Sequence, residues 1–176
     1  MEDADYALGE ITADYPTFLS ELYQKYYGDT SAMGLAFTRE EIEYIRAQKQ
    51  VNIEFYREGP VYVWGDEFKV EEVITNFLTN AMNHAAGEKK ITIRFQKHDH
   101  LVRTSVFNTG DPIPEEDLDK IWVKFYKVDK ARTREYGGSG IGLSIVKAIM
   151  DSFHQKCGAV NHPDGVESVS YTHLRA

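Results

Sequence analysis

The chain has 176 residues and a formal net charge of -8, long enough for one domain that buries roughly 70% of its unfolded surface. An apolar fraction of 42%, with nine Phe, eleven Tyr and two Trp, fits a globular core and excludes a disordered chain. The single cysteine, Cys157, excludes an internal disulfide and a cysteine-held metal and fits a reducing cytosol; no apolar run approaches ~18 residues, so neither signal peptide nor membrane span is read, and the acidic balance argues against nucleic acid as a partner.

The first residues are acidic and lead into a weak strand around Leu8 to Ile11. Asp14 and Pro16 mark a helix start, with Phe18, Leu22 and Tyr26 spaced by four as far as Gly28. Thr38 with Glu41 forms a capping box for a second helix to about Lys49, packed by Ile42 and Ile45. Val51, Ile53 and Phe55 then alternate with polar residues as a half-buried strand, Gly59-Pro60 turns the chain, and Val61 to Trp64 is a short strand partner.

Asp66 caps a helix whose Val70, Val73, Ile74, Phe77, Leu78 and Ala81 share one arc. Beside that arc Asn76, Asn80 and His84 are spaced by four, with Asn83 adjacent. Asparagine is a mediocre helix former, and a merely solvated face would carry Lys, Glu and Gln. Side-chain carbonyl oxygens in a row suit Mg²⁺ bridging phosphates, since that ion takes few protein oxygens and keeps its waters.

Ala85-Ala86-Gly87 closes this helix, and Ile91, Ile93 and Phe95 begin a hairpin that turns at Lys97 to His100 and returns from Leu101 to Phe107. His98 and His100 read as polar turn residues, with no third ligand nearby for a metal. Asn108-Thr109-Gly110-Asp111-Pro112-Ile113-Pro114 is a rigid turn placing an amide side chain at a strand end, and a helix is expected from Glu115 to Phe125. Lys120, Lys124, Lys127, Lys130, Arg132 and Arg134 locally reverse the sign of an acidic chain, which suggests a polyphosphate ligand. Gly138, Gly140 and Gly142 then lead into a helix carrying Ile141, Ile145, Val146, Ile149 and Met150, to about Phe153. A glycine-rich turn opening a helix is suited to anions, because bare N–H groups approach closely and the helix dipole adds positive charge. The spacing is neither a dinucleotide fingerprint nor a P-loop. A strand near Gly158 to Asn161, the hairpin signal Asp164-Gly165 and a last strand complete the pattern.

An asparagine-lined helix, a strand ending in Asn-x-Gly, a Phe before a basic segment, and Gly-x-Gly-x-Gly-Leu opening a helix stand here in one order. That order resembles the ATP-binding catalytic domain of sensor histidine kinases, within the superfamily of gyrase, heat-shock chaperone, histidine kinase and MutL. The kinase branch is indicated by Ile113-Pro114-Glu115-Glu116-Asp117, by Phe125-Tyr126-Lys127-Val128-Asp129 and by Gly138 to Val146. The resemblance implies a two-layer α/β (α+β) sandwich: a mixed sheet of about five strands, three main helices on one face, and ATP between helices and lid. It covers residues 6–167 as the catalytic domain, with 1–5 resembling the end of a dimerisation helix.

By that resemblance Asn76, Asn80, Asn83 and His84 match the N box; Asn80 would ligate Mg²⁺, Asn76 assist it, and His84 lie near ribose or phosphates. The family carries Lys or Arg where Asn83 stands. Asn108 and Gly110 match the first glycine box, where Asp usually accepts from the adenine amino group; an amide carbonyl accepts the same bond without charge assistance. Pro112 replaces that box's second glycine, and Ile113 follows it. Phe125 matches the F box, Tyr126 would cover the base, and Lys127, Arg132 and Arg134 would contact phosphate from the lid. Gly138, Ser139, Gly140, Ile141, Gly142 and Leu143 match the second glycine box.

Hydrolytic members of the superfamily carry a glutamate one turn before the Mg²⁺ asparagine as base for water. Asn76 stands there and has no useful basicity, so the resemblance implies phosphoryl transfer to an outside nucleophile rather than hydrolysis. The family's phosphoacceptor histidine lies on a preceding dimerisation domain and is not among the six histidines here. The expected partners are therefore that dimerisation and histidine phosphotransfer domain, in a homodimer, and a response regulator receiver domain. Location would be the cytoplasmic part of a bacterial inner-membrane protein, tethered only through segments before this chain, itself soluble. Two other classes stay open: a nucleotide-responsive interaction module without transfer, and an anti-sigma-type serine kinase. Residues 168–176 lack the Phe-x-Phe alternation the family carries and resemble foreign read-through, pairing at most as an edge strand through Val169 and Tyr171.

Overall fold

In a computed structural model, residues 5–8, 50–57, 61–128 and 140–174 are described. A short strand β1 (Asp5–Leu8) is followed by β2 (Asn52–Arg57), β3 (Val61–Trp64) and helix α1 (Glu67–His84). The hairpin β4 (Lys90–His98) and β5 (Leu101–Thr109) leads through two single 3₁₀ turns, Glu115–Asp117 and Lys120–Trp122, to helix α2 (Gly142–Ser152) and the hairpin β6 (Cys157–His162) and β7 (Gly165–His173).

The main sheet has the order β2-β4-β5-β7-β6, with β2 parallel to β4 and every other pair antiparallel. It is the mixed five-stranded sheet of the expected α/β sandwich. Register decides its faces. Ile91, Ile93 and Phe95 of β4 stand opposite Asn108, Val106 and Thr104 of β5, which in turn oppose Val166, Ser168 and Ser170 of β7. These residues share one face, because side chains on one strand alternate and cross-strand partners point the same way. Against that face lie α1, through Val70, Val73, Ile74, Phe77, Leu78 and Ala81, and α2, through Val146, Ile149 and Met150, all buried. The apolar arc read from the helical period is the arc that packs. Asp66 caps α1 by accepting the Lys69 N–H on Oδ1 at 3.1 Å.

Four expectations are corrected. Val61–Trp64 does not pair with its neighbour β2; it pairs antiparallel with β1, from Asp5 opposite Trp64 to Leu8 opposite Val61. The early strand starts at Asp5, ahead of the expected Leu8, and is described through Leu8, with 9–11 outside the described residues. Glu115 to Phe125 is no helix, since its backbone closes only two isolated 3₁₀ turns and Phe125 enters the left-handed region at φ 67°. Finally, β7 runs through residues 168–173 as an inner strand between β5 and β6, paired with β5 as far as His173 and with β6 as far as Ser170, and not as an edge. The expected helices over 16–28 and 38–49 and the Gly59-Pro60 turn lie outside the described residues.

The inner position of β7 puts Ser168, Ser170 and Thr172 on the helix-facing side, all buried. A small cavity results, lined by Thr104, Ser170 and Thr172 from the sheet and by Val70, Val73, Ile74, Met150 and Phe153 from the helices. Filling it with Ser170→Val is expected to stabilise the fold by about 1 kcal/mol. The check is a guanidinium midpoint that rises at unchanged denaturant slope; a fall would mean that the serine hydroxyl matters more than the gap.

Candidate nucleotide site

The segments singled out in the sequence meet at one end of the sandwich, where α1 finishes and α2 begins. Three contacts join them. At the first, the Asn76 side chain turns along α1, its Nδ2 donating to the Glu72 carbonyl at 2.8 Å. Its Oδ1 faces the first residue of α2 so closely that a Cβ on Gly142 would stand 2.7 Å from it. Asn76 thus seats the start of α2 on α1. Its neighbour Glu72 is half-buried, and that burial raises its carboxyl above the usual range. Asn80, half-buried one turn on, makes no side-chain hydrogen bond with the described residues, so its carbonyl oxygen is available to a cation.

The second contact ties the end of α1 to the end of β5. Ala86 N–H donates to Thr109 O at 2.8 Å, the Thr109 hydroxyl donates to Ala86 O at 2.8 Å, and the same Oγ1 accepts Lys90 N–H at 2.9 Å. Gly110 then passes the His84 carbonyl with φ 151°, a conformation open to glycine, and an added Cβ would stand 2.9 Å from that oxygen. Asn108 is only 6% exposed. Its Nδ2 donates to Thr109 O at 3.2 Å, so its Oδ1 is the acceptor atom of that side chain. Asn83 is half-buried and His84 exposed at the helix end.

The third contact closes the base of the lid. Phe125 N–H donates to Gly140 O at 2.8 Å, and Phe125 and Gly140 both take left-handed backbone, at φ 67° and 72°. Glycine is needed at 140, because a Cβ there would crowd Lys127 Cε at 3.2 Å and the Phe125 and Tyr126 backbone at 3.3 Å. Phe125 itself is 65% exposed, with Lys124 Nζ 5.0 Å from its ring centre. The Tyr126 hydroxyl donates to Asp117 Oδ1 at 2.6 Å, and Lys120 Nζ donates to the same oxygen at 3.2 Å. That bond to Tyr126 holds the Asp117 carboxyl below its ordinary range and pushes the phenol up. Tyr126 therefore pins the loop ahead of the lid.

Helix α2 begins with Ile141 at its N-cap and no side-chain hydrogen bond there; Ser144 Oγ instead donates back to Ile141 O at 2.7 Å. The first N–H groups of α2 are left for a ligand, next to the Asn76 and Asn80 face, an arrangement suited to phosphate. Ile141 is half-buried, and Leu143 packs against the core. Arg132, Arg134, Gly138 and Ser139 lie outside the described residues. No group of three or more His, Cys, Asp or Glu among the described residues could hold a metal, His98 and His100 included; His100 stacks on His173 beside the β4–β5 turn, with centroids 6.1 Å apart. Two partners escaped the sequence reading. Asp117 carries no local signal, whereas Asn161, which binds the loop at Ile113, could have been noticed as a polar residue on a strand's inward side.

This is the geometry of a nucleotide site, and the family model for histidine kinase-, DNA gyrase B- and HSP90-like ATPases matches residues 65–175. The chain belongs to that family, as an ATP-binding catalytic domain of the sensor histidine kinase kind. It is 34% identical over 131 residues to the sensor histidine kinase WalK of Bacillus subtilis (strain 168), covering 66% of this chain and 21% of WalK. It is 42% identical over 88 residues to the sensor histidine kinase CusS of Escherichia coli (strain K12), covering 50% of this chain and 18% of CusS. The chain thus spans about a fifth of these relatives. The nucleotide-free catalytic domain of histidine kinase ThkA superposes with a TM-score of 0.68 at 26% identity, covering 98% of each chain. No described helix is long and apolar enough to cross a membrane.

Proposed function

We propose that this chain is the catalytic half of a histidine autokinase, which binds Mg-ATP and transfers the γ-phosphoryl group to a histidine on a dimerisation and phosphotransfer domain of the same longer protein. In that transfer the bond from the γ-phosphorus to the β-bridging oxygen breaks, a P–N bond forms to the imidazole, and ADP leaves. The observation that carries the reading is at Asn76. Hydrolytic relatives have a base at that position, whereas here an amide spends its nitrogen on Glu72 O and its oxygen against Gly142. The site has parts to hold and neutralise phosphates, and at the position of Asn76 it carries no base to activate water.

Asn80 Oδ1 would be the protein ligand to Mg²⁺, which would supply positive charge to neutralise the phosphates during transfer. The α2 N-terminus, with Lys127 beside it and Arg132 and Arg134 of the lid, would hold the phosphates, and Asn108 would accept from the adenine amino group. The remaining partners follow from the kind of kinase: a second copy through the dimerisation domain, a response regulator receiver domain that takes the phosphoryl group, and a membrane reached only by other segments. ThkA has been seen in complex with its response regulator TrrA.

Asn80→Ala is expected to weaken Mg-ATP binding by a factor of ten or more and to abolish its magnesium dependence, with a folding midpoint close to wild type. Calorimetric titration with and without Mg²⁺ is the check, with GTP as control. For transfer, the chain is mixed with a dimerisation hairpin bearing its histidine and with γ-labelled ATP. Label on that histidine supports the kinase; binding without label would point instead to a nucleotide-responsive interaction module.

A further inference from the structure

The loop after Asn108 has an odd backbone. Pro112 and Pro114 lack N–H groups, so Ile113 is the only main-chain donor from 112 to 114, and Pro114 holds Ile113 in extended conformation. Both polar atoms of Ile113 are taken by one side chain 48 positions away. Asn161 Oδ1 accepts the Ile113 N–H at 2.9 Å, and Asn161 Nδ2 donates to Ile113 O at 2.7 Å. A primary amide here replaces a neighbouring strand, closing the two-bond ring that backbone pairing would make. The adjoining turn adds a third tie, Gly110 N–H to Asp164 O at 3.0 Å.

Sheet register gives the clamp its meaning. Asn108 of β5 stands opposite Val166 of β7, and Val166 stands opposite Asn161 of β6. Asn161 and Asn108 therefore share one row and one face, two strand spacings or ~10 Å apart. We propose that Asn161 is a positioning residue for the nucleotide's base: it fixes the Ile113 loop at a set distance from the Asn108 acceptor. The rigidity that the second glycine of the box would forgo is supplied here by two prolines and an amide from another strand. This inference rests on the nucleotide reading above.

The test compares wild type with Asn161→Ala and with Asn161→Asp, which keeps the acceptor for Ile113 N–H but loses the donor. Mg-ATP and Mg-GTP affinities are measured by calorimetry, and exchange of the Ile113 amide by hydrogen–deuterium methods. Expected are a protected Ile113 amide in wild type, and in Asn161→Ala a loss of that protection, about tenfold weaker ATP binding and a narrower ATP-to-GTP ratio. Asn161→Asp should fall between, and it is decisive if the alanine variant does not fold. An unprotected Ile113 amide in wild type would overturn the clamp whatever the ligand. Folded variants with wild-type ATP affinity and base preference would overturn the positioning role. A wild type that binds no ATP would instead bring down the nucleotide reading and base positioning with it, leaving the clamp to the exchange result.

Discussion

Replacing Gly165 with alanine is expected to destabilise the domain by about 3 kcal/mol and to remove ATP binding. Gly165 opens β7 opposite Thr109 and His162, where three strands meet beside the nucleotide site. A Cβ there would stand 2.1 Å from the Asn108 carbonyl and 2.8 Å from the Phe107 ring. A side-chain tip can swing aside, but the Asn108 carbonyl is main chain in the middle of a sheet. Relief requires β5 and β7 to separate at Asn108, the acceptor proposed for the base, so stability and affinity should fall together. Gly158→Ala is the control. Its added Cβ would meet only Val169 Cγ2, at 3.8 Å, an ordinary contact. Guanidinium unfolding and ATP titration of both variants would decide, and a Gly165→Ala protein with wild-type midpoint would refute the close approach.

The second large effect is an acid one, centred on Glu167 on the sheet face away from the helices. Burial by itself would raise this carboxyl, but hydrogen bonds from Arg103, Ser105 and His162 outweigh it and bring the group from 4.5 down to about 2. Arg103 reaches Glu167 Oε1 at 3.0 Å and His162 Nε2 reaches Oε2 at 3.1 Å, with the His162 ring edge-on to Phe107. Because the folded group titrates below the unfolded one, its contribution is complete above about pH 4.5 and is lost as pH falls towards 2. It amounts to about 3 kcal/mol. Urea unfolding at pH 7 and near pH 3 should show that loss, and Glu167→Gln should flatten it. An unchanged acid slope in the variant would assign the acid sensitivity to other carboxylates.

What was legible in the sequence was what depends on local period. Asn76, Asn80 and His84 could be placed beside the apolar arc of α1 because 3.6 residues per turn fixes both stripes at once. The β4–β5 and β6–β7 hairpins were legible for the same kind of reason. Pairings decided elsewhere in the chain were not. Val61–Trp64 looked bound to its neighbour because a Gly-Pro turn stood between them, yet its partner lies more than fifty positions earlier, at Asp5–Leu8. A helix was expected from Glu115 to Phe125, but Tyr126 and Lys120 both draw on Asp117, and Phe125 is bonded across to Gly140. The bond from Phe125 to Gly140 accompanies the left-handed backbone at which the segment leaves helical geometry. At the site, the sequence pattern points to residues but not to the contacts among them: nothing local in Asn76 says that it meets Gly142, or in Asn161 that it holds Ile113.

Because β7 is the inner strand made after every other described element, a chain still on the ribosome can pair β2, β4 and β5 but has nowhere to attach β6. Asn161 and Asp164, which hold the base-side loop, stay loose until β7 threads between its neighbours. Nascent and prematurely terminated chains should therefore be unable to retain nucleotide, so that a half-made domain does not sequester ATP.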